Sequence, residues 1–136
     1  MNYYTHGTQV TAAHGHLAFF GAYVMLNLAV ISYVMPYMRG RAPYNQGLNI
    51  LSFWIMTGAM TVMTFALTFA GAVQVHLQRV MGMSYMEVQD HIAPFYWVRL
   101  GSGALVAISA VMFLWAVFGP VRESRKTVAM RVQPAE

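Results

Sequence analysis

Residues 5–20 read THGTQVTAAHGHLAFF, and they belong to a segment without a charged side chain that runs from Met1 to Met38. A hydrocarbon core of about 30 Å takes roughly 20 helical residues to cross, so this segment is long enough to span a membrane. Three of the five histidines of the chain lie within it. Ionisable side chains are rare inside membranes and usually functional there, so these histidines are the first candidates for a site.

His14 and His16 lie two residues apart in the predicted helix. Because each residue turns an α-helix by about 100°, the two imidazoles point to opposite sides and cannot bind one metal ion together. Such a pair suits two cofactors, one on each side, and imidazole is an axial ligand of haem iron. The spacing alone leaves a second interpretation open, in which the histidines form hydrogen bonds between helices. Small residues that would let a macrocycle approach are Ala12, Ala13, Gly15, Ala18 and Gly21.

The composition indicates a membrane protein. Hydrophobic residues make up 58% of the chain and charged residues only 9%, whereas soluble domains carry about 25% charged residues. The chain has no cysteine, which excludes disulfides, iron–sulfur clusters and covalently attached c-type haem. The net charge of +4 comes from basic residues that border apolar segments. This pattern is a membrane topology signal, so no nucleic-acid partner is predicted.

The predicted fold class is an all-α membrane protein with three transmembrane helices in residues 1–120. A polar, basic tail is predicted for residues 121–136. Threonines of the second helix form a small, weakly polar face that is expected to pack against a neighbouring helix. The three helices are expected at about 8–36, 47–77 and 94–118.

The basic residues also predict an orientation. Arg39 and Arg41 in the first loop lie on the same side of the membrane as the tail 121–136, which holds four more basic residues. The positive-inside rule places that side in the cytoplasm. The N-terminus is then periplasmic in a Gram-negative cell, with the chain in the inner membrane. His14 and His16 come early in the first helix, so they are expected in the outer part of that membrane.

The stretch 5–16 resembles the tenth transmembrane helix of the nitric oxide reductase large subunit, a cytochrome b that belongs to the haem-copper oxidase superfamily. The three helices would then correspond to the last three of a twelve-helix subunit. The resemblance therefore implies that the chain is a fragment or one piece of a split subunit, and not an enzyme alone. It covers nearly the whole chain and continues through residues 31–36, 53–57, 75–79 and 89–97.

The resemblance also implies roles for individual residues. His14 is expected to be the axial ligand of the high-spin haem b3, and His16 one of two axial ligands of the low-spin haem b. His6 is expected near the haem propionates. The complete subunit further implies a non-haem iron bound by three histidines and a glutamate, and the chain lacks such a set of ligands. The implied reaction is the reduction of two NO molecules to N2O and water.

The implied partners are the remainder of the large subunit, a cytochrome c-type small subunit that delivers electrons, and membrane lipid. A quinol remains an alternative electron donor. Two other classes stay open, namely a small haem-binding membrane protein that stands alone and a structural or assembly protein without haem. A subunit I fragment of a terminal oxidase is a closer alternative, but the residues 7–10 favour the reductase. His76, His91 and Arg99 are expected at the membrane interface or in the polar connection.

Overall fold

The computed structural model describes residues 2–38 and 45–120 of the chain. Within these ranges every regular element is helical. A one-turn helix at Asn2–Thr5 precedes three long helices, each apolar and long enough to cross a membrane. The predicted fold class is therefore confirmed. We number the long helices α1 (Gln9–Met38), α2 (Gln46–Val80) and α3 (Tyr85–Phe118).

The three helices run antiparallel to their neighbours in sequence. A hydrogen bond joins Gln9 at the start of α1 to Gln74 near the end of α2. At the opposite end of the same pair, the Asn49 amide donates to the Ser32 hydroxyl at 3.3 Å. The helix α2 is central, since 39% of its most apolar window is buried, against 28% for α3 and 6% for α1.

Two apolar clusters hold the helices together. The larger joins α1 to α2 and includes Ala13 and Phe20 from α1. The smaller joins Ala70 of α2 to Val88 and Ile92 of α3. The side chains that α2 contributes to the larger cluster are Met56, Met60, Met63 and Leu67.

A segment of π-helix interrupts α1 at Phe19–Val24, directly after the histidines. A π-helical turn holds more residues than an α-helical turn, so it changes which side chains face α2 on either side of it. The preceding part, Gln9–Ala18, is regular α-helix. The following part, Met25–Met38, has no buried residue. The buried apolar side chains of the first helix thus lie before residue 25, while its second half adds the partly buried Met25 and Leu28 and the Ser32 hydrogen bond to Asn49.

The helix α3 begins at Tyr85, well before the start near residue 94 that hydropathy alone indicated. Ser84 and Glu87 form a capping box, in which the Ser84 amide and hydroxyl donate to the Glu87 carboxylate, both at 2.8 Å. The cap lets a polar turn start the helix ahead of its apolar part. The connection after α2 is consequently short, and Gly82 turns it with a φ of +70°.

The predicted basic loop with Arg39 and Arg41 lies outside the described residues, as does the predicted tail at 121–136. The described surface is strongly apolar. Phenylalanine, leucine and tryptophan side chains on all three helices are exposed, among them Leu26, Phe65 and Trp97. Such faces are stable in contact with lipid or with other apolar helices.

Candidate functional site

The two central histidines lie on opposite flanks of the line along which α1 contacts α2. Ala13 marks that line, because it is only 3% exposed and packs in the cluster with α2. In regular α-helix, His14 lies about 100° to one side of Ala13 and His16 about 60° to the other. His14 is exposed, whereas His16 is half-buried. The two imidazoles therefore face different surroundings across one helix.

The ring of His16 has a hydrogen bond to its own helix. Its Nδ1 lies 2.8 Å from the carbonyl oxygen of Ala12, one turn earlier. In the tautomer with the proton on Nδ1, this nitrogen donates to the carbonyl and Nε2 keeps a free lone pair. Histidines that bind metals commonly use this arrangement, in which a carbonyl fixes the ring and raises the basicity of the other nitrogen.

His14 is open to a ligand on its own flank. Within the described ranges, neither of its ring nitrogens has a hydrogen bond. Gly15, between the two histidines, is also unobstructed: a Cβ placed there would meet no atom of the described residues within 4 Å. No other helix of the described residues therefore crowds the backbone between the two imidazoles.

A close contact of backbones fixes the start of α1 against α2. A Cβ at Gly71 would collide with the backbone nitrogen and the side chain of Val10, so only glycine permits this approach. Val10 precedes His14 by one helical turn. The sequence contains a signal for this contact, since Gly71 lies between Ala70 and Ala72, and small residues allow membrane helices to approach closely. Sequence reasoning did not single it out.

A chain of hydrogen bonds crosses all three helices at the same end of the bundle. The Gln74 side-chain oxygen accepts from the Gln9 backbone N–H at 3.0 Å, and Gln74 is only 1% exposed. The Gln9 side-chain amide donates to the Tyr96 hydroxyl at 2.9 Å. That hydroxyl donates to the side-chain oxygen of Gln89 at 3.0 Å. This network was not predicted from the sequence.

The other candidate residues are not brought to the two central histidines. His6 is exposed in the turn before α1, and His76 is exposed near the end of α2. His91 is exposed as well, with its Nδ1 3.1 Å from the carbonyl oxygen of Glu87. Across residues 2–38 and 45–120, no three His, Cys, Asp or Glu side chains form a group that could hold a metal ion. The candidate site within the described residues is thus a pair of separate histidines, each on its own flank of α1.

The family model and the similar proteins that match this chain agree on its family. Residues 1–105 match the family described as cytochrome c and quinol oxidase polypeptide I. The chain is 46% identical over 124 residues to a nitric oxide reductase subunit of Stutzerimonas stutzeri, an alignment that covers 85% of the chain and 26% of that relative. It is 26% identical over 145 aligned positions to the bacteroid cytochrome c oxidase subunit 1 homolog of Bradyrhizobium diazoefficiens, covering all of the chain and 26% of that relative. The chain thus spans about a quarter of the length of these relatives.

Proposed function

The chain belongs to the cytochrome c and quinol oxidase polypeptide I family of the haem-copper oxidase superfamily, and we propose that it is the haem-ligating, C-terminal part of a membrane nitric oxide reductase large subunit. Its 46% identity to a nitric oxide reductase subunit, against 26% to an oxidase homolog, favours the reductase within this family. The observation that carries the proposal is the placement of His14 and His16 on opposite flanks of α1.

The donor set fits two haems. His16 offers Nε2 on one flank while the Ala12 carbonyl holds its Nδ1, and His14 is open on the other flank. His16 would hold haem b and His14 haem b3, with His6 near the propionates. Bound haem iron would supply electron transfer on one side and the reduction of NO to N2O on the other. Because both ligands belong to one short stretch of helix, that stretch would also fix the distance between the two irons.

We infer the rest of the proposed complex from the similarity to the reductase. The remaining helices of the large subunit would cover the exposed faces of α1 and would provide the second ligand of haem b and the ligands of a non-haem iron. A cytochrome c-type small subunit would deliver electrons from the periplasm. We infer an inner-membrane location with the N-terminus of this chain periplasmic and its C-terminus cytoplasmic, from the distribution of arginine and lysine.

The test is a purification from native membranes through a tag on this chain, together with any associated subunits. We expect two b-type haems by optical spectroscopy and consumption of NO. The His16→Ala variant should lose the low-spin haem b signal, whereas the control His91→Ala, on an exposed histidine of α3, should keep it. An unchanged low-spin signal in His16→Ala would exclude this ligand.

A terminal oxidase is the second candidate, because the alignment with the oxidase homolog extends over the whole chain. The same preparation distinguishes the two activities. Consumption of O2 without consumption of NO would favour the oxidase, and the reverse would favour the reductase.

A further inference from the structure

The start of α1 depends on another helix for its cap. The first N–H groups of a helix have no partner within that helix, and leaving one unpaired in apolar surroundings is costly. Thr8, which precedes α1, provides no side-chain hydrogen bond to these groups, and its hydroxyl donates instead to the Thr5 carbonyl. The N–H of Gln9 donates to Gln74 of α2. Gln74 therefore acts as the cap of a helix to which it does not belong.

Gln74 lies beside a second contact that attaches α1 to α2. This second contact is the close approach of the Val10 backbone to Gly71, which lies less than one turn along α2 from Gln74. Two attachments so close together oppose both rotation of α1 about its axis and sliding along it. The Gln9 side chain adds a third attachment through Tyr96 of α3.

These attachments matter for the histidines because they lie on the same half of α1, whereas the hydrogen bond between Ser32 and Asn49 lies at its far end. Gln9 precedes His14 by five residues, about 7.5 Å along a helix axis. Beyond the π-helical segment, Met25–Met38 contributes no buried side chain. Ala13 and Phe20 are the buried apolar residues of α1 among those described, and neither opposes sliding as a directional hydrogen bond does.

We propose that Gln74 is a positioning residue for the histidine-bearing half of α1. It sets the rotation of this half about the helix axis and its position along that axis, and thereby orients the His14 and His16 imidazoles toward their haems. The proposal rests on the proposed function for the identity of the ligands. Groups that orient a metal-binding histidine tune the metal as well as its affinity. Loss of the Gln74 cap should therefore change the electronic properties of the bound haem.

The test compares variants of the complex purified from native membranes. Gln74→Met keeps the length of the side chain but removes the acceptor, and we expect shifted g values of the low-spin haem in electron paramagnetic resonance and a shifted midpoint potential. Gln74→Glu retains an acceptor oxygen at the same place and, since burial favours the neutral carboxyl, should keep the native g values. Gln78→Met, one turn further along α2 and outside the network, is the matched control and should remain native.

Tyr96→Phe provides a second route if Gln74→Met does not assemble. It removes only the hydroxyl and keeps the ring in its apolar cluster, and a smaller shift in the same signal is expected. Native signals in both variants would overturn the positioning role. The His16→Ala variant shows whether the positioning role of Gln74 or the proposed haem ligation is wrong. If His16→Ala removes the signal while Gln74→Met and Tyr96→Phe leave it native, the ligand assignment stands and only the positioning role is wrong.

Discussion

His14 and His16 are neighbours in sequence with different surroundings. The carbonyl of Ala12 fixes the His16 ring, so in the proposed function this residue would meet a haem in a prepared orientation. The ring of His14 is exposed and gains its orientation from whatever covers that flank of α1.

Gly71 provides a prediction at this scale. Gly71→Ala would drive a methyl group into the backbone of Val10, so α1 must move away from α2. We expect a loss of stability of about 1–3 kcal/mol, as for other overpacked contacts, and reduced haem content. Thermal unfolding of the purified complex measures the first effect and the haem spectrum the second.

Gly58→Ala is the matched control, because it lies on the same helix and a Cβ there meets nothing within 4 Å. Its stability should equal or slightly exceed that of the native chain, since alanine favours helix more than glycine does. Equal losses in Gly58→Ala and Gly71→Ala would contradict the close contact.

Only some features of individual residues could be predicted from the sequence. The opposite directions of His14 and His16 follow from helical geometry alone, once the stretch is taken as a helix. The roles of Gln74 and Gly71 depend on contacts with Gln9 and Val10, more than sixty residues away in sequence. No periodicity within one helix contains that information.

At the scale of the helices, the first and third differ in how their starts are stabilised. The helix α3 caps itself through Ser84 and Glu87, whereas α1 relies on Gln74 of another helix. Hydropathy predicted three spans because it detects apolar length, but it does not detect a capping box in a polar turn. It also does not detect the π-helical segment of α1 at Phe19–Val24, whose residues read as ordinary apolar helix.

The capping box of α3 provides a prediction at this scale. Ser84→Ala removes the hydroxyl that accepts from the Glu87 N–H, and the expected cost is about 0.5–2 kcal/mol. Fraying of the first turns would loosen Gln89, which accepts the hydrogen bond from Tyr96. Hydrogen exchange of the amides at 85–89 should therefore become faster.

Met86→Ala, in the same turn and exposed, serves as the control and should leave this exchange unchanged. Native exchange rates in Ser84→Ala would mean that the capping box does not hold the start of α3.

At the scale of the whole molecule, α1 is the least enclosed of the three helices, with 6% of its apolar window buried. The same helix carries both proposed ligands. Among the described residues, His14 on one flank of α1 is exposed and His16 on the other is half-buried, and the chain spans about a quarter of the length of these relatives. We therefore expect the haems to lie between α1 and helices supplied by the rest of the large subunit, with lipid against the outer faces.

The most direct test of two haems on one helix is the His14→Ala variant of the complex from native membranes. NO consumption and the reduced-minus-oxidised optical spectrum are measured on the same sample. This arrangement predicts loss of NO turnover and of the high-spin haem signal, while haem b on His16 remains reducible. Near-normal NO consumption in His14→Ala, with both haem signals intact, would contradict it.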